Sequence, residues 1–302
     1  MTPAFTPVSI GPVAAEIVAQ PGDVEVAAMF DRSFYLLSPH GFITVGVAAL
    51  GNGPINLLVT AEGEIPDWPR HGVTREAKGA IETGGLTIGD SFALPLSNIP
   101  PWHPPAWPVV DRARIEAGLG ALRPAAAASC PSEGLSQLII AGKLDKTNHS
   151  ALAAKVPIDD LVRHLPNALS SGTVDEACAR AATLLLGLGP GLTPSGDDVL
   201  GGLFLALSAL GATGVRDALW DVLARELDDL TVGISAAHLA AAADGMGAAV
   251  VHDMFNAVLC GDAAALPRLL VQLGRIGHSS GYDSLAGIVL TLDAALTGGI
   301  VG

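Results

Sequence analysis

The chain has 302 residues, half of them hydrophobic, and its 16 Lys and Arg against 30 Asp and Glu give a formal net charge of −14 at pH 7. This size and apolar content suffice for a substantial core in one large or two modest domains. An acidic surface repels phosphate backbones and anionic lipid, so nucleic acid and membranes are excluded as expected partners.

No secretory signal pattern and no run of about 18 apolar residues is evident, and the three cysteines, Cys130, Cys178 and Cys260, are widely spaced. We therefore expect a soluble cytoplasmic protein with reduced thiols. Any anionic substrate would have to be held by local groups, such as helix N-termini or single arginines, because the field of the whole protein does not attract it.

The first third of the chain contains short β-favouring runs separated by Gly, Pro and Asn, at residues 24–29, 33–37, 42–47 and 55–60. They predict a small antiparallel β unit. Asn56, in the segment GNGPINLLV, could contact a ligand or close a turn, and the structural role is the one expected. The proline-rich stretch 95–108 follows and marks a boundary, where Trp102 and Trp107 are expected to anchor a linker.

From about residue 112 the chain becomes Ala- and Leu-rich with helical spacing, as in 174–186, 197–210 and 215–230. Thr173 and Glu176 match a capping box at one helix start. The predicted fold is α+β, with a β-rich N-terminal domain over residues 1–110 and a larger, mainly helical domain over residues 111–302 that carries two glycine-rich loops.

The first of these loops is GLGPGLTPSGDDVLGG, residues 187–202, which leads directly into an apolar helix. Glycines permit close approach of a ligand, and a helix N-terminus offers free N–H groups, so the junction suits a phosphate or carboxylate. Ser195 is predicted as the N-cap, with Asp198 completing a capping box. Asp197 would then be the freer carboxylate, able to act as a general base or to hold a divalent cation.

The second segment, GHSSGYDSLAG, residues 277–287, repeats the pattern S-G-x-D-x-L-x-G after 85 residues. Two helices with N-termini of the same construction could line one pocket if they pack together. This copy adds His278, a titratable group, and Arg275 lies just upstream as a candidate partner for an oxyanion.

A purely structural interpretation stands beside the functional one. Asp198 and Asp283 could be plain helix caps, and Gly201, Gly202 and Gly287 could simply allow helices to approach closely. The density of glycines, hydroxyls and aspartates in 187–202 exceeds what a cap requires, but no Gly-Lys-Ser/Thr follows, so a Walker-type nucleotide site is disfavoured. The segment TVGISAAH, residues 231–238, could bring Thr231, Ser235 and His238 within reach of one another at a helix start, or Ser235 could be only an N-cap. It is a weaker functional candidate than the two glycine-rich loops.

Together, GLGPGLTPSGDDVLGG, GHSSGYDSLAG and GNGPINLLV resemble the AllH-type subunit family of oxamate carbamoyltransferase, in matching order along the chain. The resemblance implies an assembly with larger partner subunits that moves a carbamoyl group between phosphate and oxamate in allantoin-derived purine catabolism. The family motif carries over to Gly189, Gly191, Thr193, Ser195, Gly196, Asp197, Asp198, His278, Ser280, Gly281 and Asp283.

Roles for these residues are hypotheses. Asp197 and His278 are the candidate catalytic bases, with Asp197 also the candidate ligand of an assisting Mg²⁺. Asp198 and Asp283 would cap helices or assist the metal. Binding of a small anionic substrate is assigned to Gly189, Gly191, Thr193, Ser195, Gly196, Arg275, Ser280 and Gly281. Two other functions remain open: a non-catalytic assembly or ligand-sensing subunit, and a related carbamoyl- or acyl-phosphate enzyme with another acceptor. The chain could also form a homo-oligomer.

Overall fold

The computed structural model describes residues 5–61, 65–144 and 148–301. The chain forms two compact units, Met1–Pro104 and Pro105–Gly302. The first is built on a β-sheet and the second is helical, so the predicted α+β fold is confirmed.

The first unit is organised around one eight-stranded sheet with the order β1-β5-β4-β3-β2-β6-β7-β8. Neighbouring strands are antiparallel except β4 and β5, which pair in parallel. A short helix, α1 (Pro12–Val18), follows the first strand. The strands are β1 (Phe5–Ile10), β2 (Gly22–Met29), β3 (Ser33–Ser38), β4 (Gly41–Val47), β5 (Asn56–Ala61), β6 (Lys78–Glu82), β7 (Gly85–Ile88) and β8 (Phe92–Pro95).

The four β runs predicted from the sequence correspond to β2 to β5. Alternate side chains of these strands are buried in an apolar core. In this core the Trp68 ring stacks on Phe5 with centroids 5.2 Å apart and contacts Phe34 edge-on with centroids 5.1 Å apart. The Asn56 amide donates to the carbonyl of Gly51 at 2.9 Å, so this asparagine closes the turn as expected.

The two tryptophans of the proline-rich stretch both make contacts within their own unit. Backbone N–H of Trp102 donates to the carbonyl of Ile10 at 2.8 Å in the first unit. In the second unit the Trp107 ring stacks on His252 with centroids 4.6 Å apart. Each end of the linker is therefore anchored, as its composition predicts.

The second unit is a helical bundle around a continuous apolar core. Its helices are α2 (Arg112–Ala127), α3 (Gln137–Ala141), α4 (His149–Ser171), α5 (Glu176–Thr183), α6 (Ser195–Ala209), α7 (Thr213–Leu223), α8 (Leu227–Leu230), α9 (Gly233–Ala243), α10 (Ala249–Cys260), α11 (Leu266–Leu273) and α12 (Ser280–Gly298). Helices α6 and α12, which begin at the two S-G-x-D motifs, pack directly against each other.

Two local predictions in this unit are wrong. Helix α5 is capped by Asp175, whose carboxylate accepts from the N–H of Cys178 at 2.7 Å, and not by a Thr173–Glu176 box. Asp175 lies directly before the helix, where its short side chain reaches the free N–H groups of the first turn. The predicted helix over 215–230 is divided into α7 and α8 by a turn at residues 224–226.

Candidate functional site

Helix α6 begins differently from the prediction, because its N-cap is Pro194 and Ser195 is already the first helical residue. The carbonyl of Pro194 accepts from the N–H of Asp198 at 3.0 Å. Proline has no side-chain oxygen with which to cap, so the predicted Ser195–Asp198 capping box does not form. Ser195 and Asp198 instead make hydrogen bonds with residues of α12, Ser195 with Asp283 and Asp198 with Ser280.

The carboxylate of Asp197 is the centre of a hydrogen-bond cluster. It accepts from the N–H of Gly187 at 2.7 Å, from the hydroxyl of Ser235 at 2.6 Å, and from the hydroxyl of Thr231. Asp197 is only 2% exposed, so the expectation that it is the freer carboxylate is wrong. Burial raises its pKa, and the three hydrogen bonds offset part of that rise. The cluster fastens the start of the glycine loop and the first turn of α9 to α6.

The start of α12 carries a second buried carboxylate, that of Asp283. It accepts from the N–H of Leu135 at 2.6 Å and from the hydroxyl of Ser279 at 2.8 Å. Burial raises the pKa of Asp283 to about 6, although hydrogen bonds from Leu135, Ser195 and Ser279 act in the opposite direction. Asp283 therefore ties the segment before α3 to the beginning of α12, and it does not act as a simple helix cap.

Asp198 faces Asp283 across the junction of the two helices. Its Oδ2 is buried and has no hydrogen-bond partner among the described residues. Desolvation and the charge of Asp283 raise the pKa of Asp198 well above its usual range, while a hydrogen bond with Ser280 lowers it in part. Because Asp283 has more donors around it, burial raises the pKa of Asp198 more strongly than that of its partner.

The two S-G-x-D motifs are joined by their hydroxyl groups. Thr193 Oγ1 lies 2.9 Å from Ser280 Oγ, across a separation of 87 residues in the chain. The crosswise hydrogen bonds of Ser195 with Asp283 and of Ser280 with Asp198 add to this link. The structure thus brings Thr193, Ser195, Asp198, Ser280 and Asp283 together at one place.

Between α5 and α6 the glycine loop presents its backbone to solvent. Gly189 and Gly191 adopt φ of 120° and 99°, and both are exposed. A Cβ built on Gly191 would meet nothing within 4 Å, so there is open space beside this backbone. This is the part of the motif that a ligand can approach.

Other glycines assigned to substrate binding are used for packing. A Cβ on Gly196 would lie 2.0 Å from the carbonyl oxygen of Leu185, and one on Gly281 would lie 2.3 Å from that of Leu273. Both glycines are buried. Gly196 lets the start of α6 pack on the turn after α5, and Gly281 lets the start of α12 pack on the last residue of α11.

His278 and Arg275 lie in the exposed segment between α11 and α12. His278 Nε2 is 2.6 Å from a carboxylate oxygen of Glu133, and both side chains are largely exposed. His278 therefore sits two residues before Ser280, at the edge of the junction and outside the buried carboxylate pair.

Sequence reasoning missed the segment 130–136, which supplies Glu133 and Leu135 to this region. No local pattern marks it, since its connection to Asp283 spans 148 residues. Thr231 and Ser235 do lie together, since both hydroxyls donate to Asp197, but Ser235 is not an N-cap. Ser235 lies inside α9, whose N-cap is Val232, and its hydroxyl donates a hydrogen bond to Asp197.

Among residues 5–61, 65–144 and 148–301, no group of three or more His, Cys, Asp or Glu side chains is placed to hold a metal ion. Within the same residues, no helix is both long and apolar enough to cross a membrane.

Two helices that begin with the same motif and exchange hydrogen bonds at their starts bring a pair of buried carboxyl groups next to an exposed glycine loop. This junction is the candidate site of an α+β protein. Residues 185–292 match the model of the family described as oxamate carbamoyltransferase subunit AllH. The matched segment begins just after α5 and runs through most of α12, and the resemblance predicted from the motifs is confirmed over it. No solved structure matches the chain.

Proposed function

We propose that this chain is a subunit of an oxamate carbamoyltransferase, acting in the cytoplasm on the transfer of a carbamoyl group between carbamoyl phosphate and oxamate during allantoin and purine catabolism. The observation that carries the proposal is the junction of the two S-G-x-D motifs through Thr193 and Ser280, beside the open backbone of Gly191. The family match over residues 185–292 supports the same assignment.

In the proposed reaction the amide nitrogen of oxamate attacks the carbamoyl carbon, the bond from that carbon to the phosphate oxygen breaks, and the amide loses a proton. Both substrates are anions. Exposed backbone N–H groups of the glycine loop would hold the phosphate and polarise the carbamoyl oxygen. The raised pKa of Asp198 favours its neutral form, which lowers the negative charge near the place where these anions would bind.

The amide of oxamate is a poor nucleophile, so a base is required. His278 is exposed next to the junction, and its contact with a carboxylate oxygen of Glu133 orients the ring. We propose His278 as the base. Asp197 has its carboxylate engaged by three donors, so we propose that it positions the loop.

Arg275 is exposed two residues from Gly277, where the second motif begins, and we propose that it pairs with the carboxylate of oxamate. An assisting Mg²⁺ also stays a proposal. Because both oxygens of Asp197 already accept hydrogen bonds from the protein, the described residues do not provide a ready-made cage for the ion.

The direct test is calorimetric titration of the purified chain with carbamoyl phosphate and with oxamate, with and without Mg²⁺. The variants are Arg275→Ala and His278→Asn, and the matched controls are Arg268→Ala and His40→Asn, since all four side chains are exposed. Weaker oxamate binding in Arg275→Ala alone supports the site. In the complex with partner subunits, His278→Asn should lower kcat by about 100-fold, in the range of general-base contributions.

A non-catalytic assembly subunit is the second candidate, and the burial of Asp197 in a purely structural cluster favours it. Under this alternative the isolated chain binds neither substrate, and His278→Asn leaves kcat of the complex unchanged. The two measurements together therefore separate a catalytic subunit from an assembling one.

A further inference from the structure

Large apolar side chains are exposed around the glycine loop. Leu184, Leu192, Leu230 and Val232 are 54%, 36%, 42% and 40% exposed. Exposed apolar residues are unremarkable when scattered singly, but a group around one feature indicates a contact surface. We call these four residues the loop-rim surface.

Contacts inside the helical unit bring these residues to the same place. A Cβ on Gly187 would lie 1.9 Å from the carbonyl oxygen of Leu230, so the backbone of Leu230 lies against the start of the glycine loop. Leu184 comes three residues before Gly187, and Leu192 belongs to the loop itself. Val232 follows Thr231, whose hydroxyl donates to Asp197.

The loop-rim surface is also held in place. Asp197 accepts hydrogen bonds from Gly187, Thr231 and Ser235, and these donors belong to the two chain segments that carry the surface. A surface that is already ordered loses little conformational entropy when a partner binds. This arrangement favours a protein contact over a chance exposure of leucines.

The border of this surface is acidic. Glu226, Asp228 and Asp229 are exposed immediately before Leu230, and the exposed basic residues nearby are Arg225 and Arg180, the latter one helical turn before Leu184. A partner with an apolar centre and a rim of Lys and Arg would complement it. A second copy of this chain using the same surface would place these acids against each other, which is unfavourable.

From these observations we infer that the loop-rim surface is the docking site for a different subunit of the enzyme, one that presents an apolar patch bordered by basic residues. The inference rests on the proposed function, because it names the partner surface of the same assembly. Such a subunit would sit beside the open backbone of Gly189 and Gly191, so the glycine loop would be completed at the interface between subunits.

The test uses the full chain co-expressed with the other subunits of the oxamate carbamoyltransferase from the same genome. The variants are Leu184→Asp and Leu230→Asp. The control is Leu37→Asp, a leucine of the sheet unit that is 45% exposed, which matches the 42% of Leu230. Affinity is measured by calorimetry, assembly by analytical ultracentrifugation, and folding by the thermal midpoint of each variant.

We expect Leu37→Asp to assemble like the wild type, and each of the two loop-rim variants to bind the partner subunits at least about tenfold more weakly with unchanged thermal midpoints. Two loop-rim variants are used so that a folding defect in one leaves the other informative. Equal affinities in all variants would overturn the inference while leaving the proposed function intact.

Two further outcomes are decisive. Self-association of the wild-type chain that Leu230→Asp abolishes would overturn the inference, since the occupant would then be a second copy. Failure of the wild-type chain to join the partner subunits at all would instead overturn the proposed function, and the docking inference would fall with it.

The acidic border is tested separately by the double change Asp228→Lys and Asp229→Lys, with Asp253→Lys on α10 as an exposed control. Charges at the rim of an interface act mainly on the association rate. We expect the double variant, and not the control, to associate about tenfold more slowly at low salt. Association rates that do not respond to these changes or to salt would overturn the basic character assigned to the partner.

Discussion

Gly202 and Gly287 are in reciprocal contact at the crossing of α6 and α12. A Cβ built on Gly202 would lie 1.8 Å from the carbonyl oxygen of Ser284, and one on Gly287 would lie 1.9 Å from that of Val199. Each contact joins a glycine to the residue three positions before the other glycine. The crossing therefore has local two-fold symmetry, which follows the 85-residue repeat of the motif and places the two helix starts side by side.

Substitution at this crossing should be strongly destabilising. Gly202→Ala forces a methyl group into the backbone of α12, and we expect it to lower the free energy of unfolding by about 3 kcal/mol or more. The neighbouring Gly201→Ala is the control, because its Cβ would lie 3.8 Å from the Cβ of Ala242. This change should stabilise α6 by up to about 1 kcal/mol through helix propensity. Chemical denaturation of both variants checks the contrast, and equal stabilities would contradict the close crossing.

The Asp197 cluster predicts a measurable loss when one donor is removed. Thr231→Val and Ser235→Ala each leave a buried carboxylate with one fewer hydrogen bond, and each should cost about 1 to 3 kcal/mol. The exposed Thr87→Val, in β7, is the control for replacing a hydroxyl. Urea titration measures all three variants. Stability losses no larger than that of the control would mean that the donors do not support Asp197.

Buried carboxyls at the junction make stability depend on pH. The pKa of Asp283 is about 6 in the folded protein against a reference of 3.8, so the folded state binds more protons in this interval. The free energy of unfolding should therefore be highest at low pH within this window and fall as the pH rises from about 4 to 7, by roughly 3 kcal/mol for this group. The raised pKa of Asp198 acts in the same direction.

Asp283→Asn removes this titration while its amide oxygen can still accept from Leu135. We expect the variant to lose less stability than the wild type between about pH 4 and pH 7. The exposed Asp253→Asn controls for the loss of one carboxylate. Denaturation at a series of pH values tests this directly, and parallel curves for the wild type and Asp283→Asn would contradict it.

Gly191 offers a test of the loop that is independent of packing. Its φ of 99° is unfavourable for alanine, whereas the space around its Cβ position is open. Gly191→Ala should therefore act through the backbone alone, costing about 1 to 2 kcal/mol locally and shifting the loop N–H groups. Carbamoyl phosphate binding should weaken several-fold in calorimetry. Gly120→Ala, where a Cβ would also meet open space, should bind like the wild type.

Much of the fold follows from local sequence patterns. The β runs at 24–29 and 42–47 have alternating or β-branched residues, and they form β2 and β4 with shifts of only one or two residues at their ends. The repeat of S-G-x-D places two helix starts, because the pattern and the apolar periodicity after it are both local. Fold class and the two motif positions could therefore be predicted.

The roles of individual side chains could not be predicted from these local patterns. Asp197 was expected to be accessible, yet its donors Thr231 and Ser235 lie 34 and 38 residues away in the chain. Ser195 was expected to be an N-cap, yet the preceding proline takes that position and frees the serine for a contact with Asp283. Rules for caps consider only the next three or four residues and cannot include such partners.

By itself the sequence determined the two kinds of secondary structure, the glycine loop and the family resemblance, because these depend on residue type and short spacing. Only the tertiary structure decided that the two motifs join through Thr193 and Ser280, that Asp197 holds the loop, and that Asp198 and Asp283 share one buried region. The physical reason is desolvation: a carboxylate changes its pKa and its role when distant segments remove it from water, and sequence spacing does not record which segments those are.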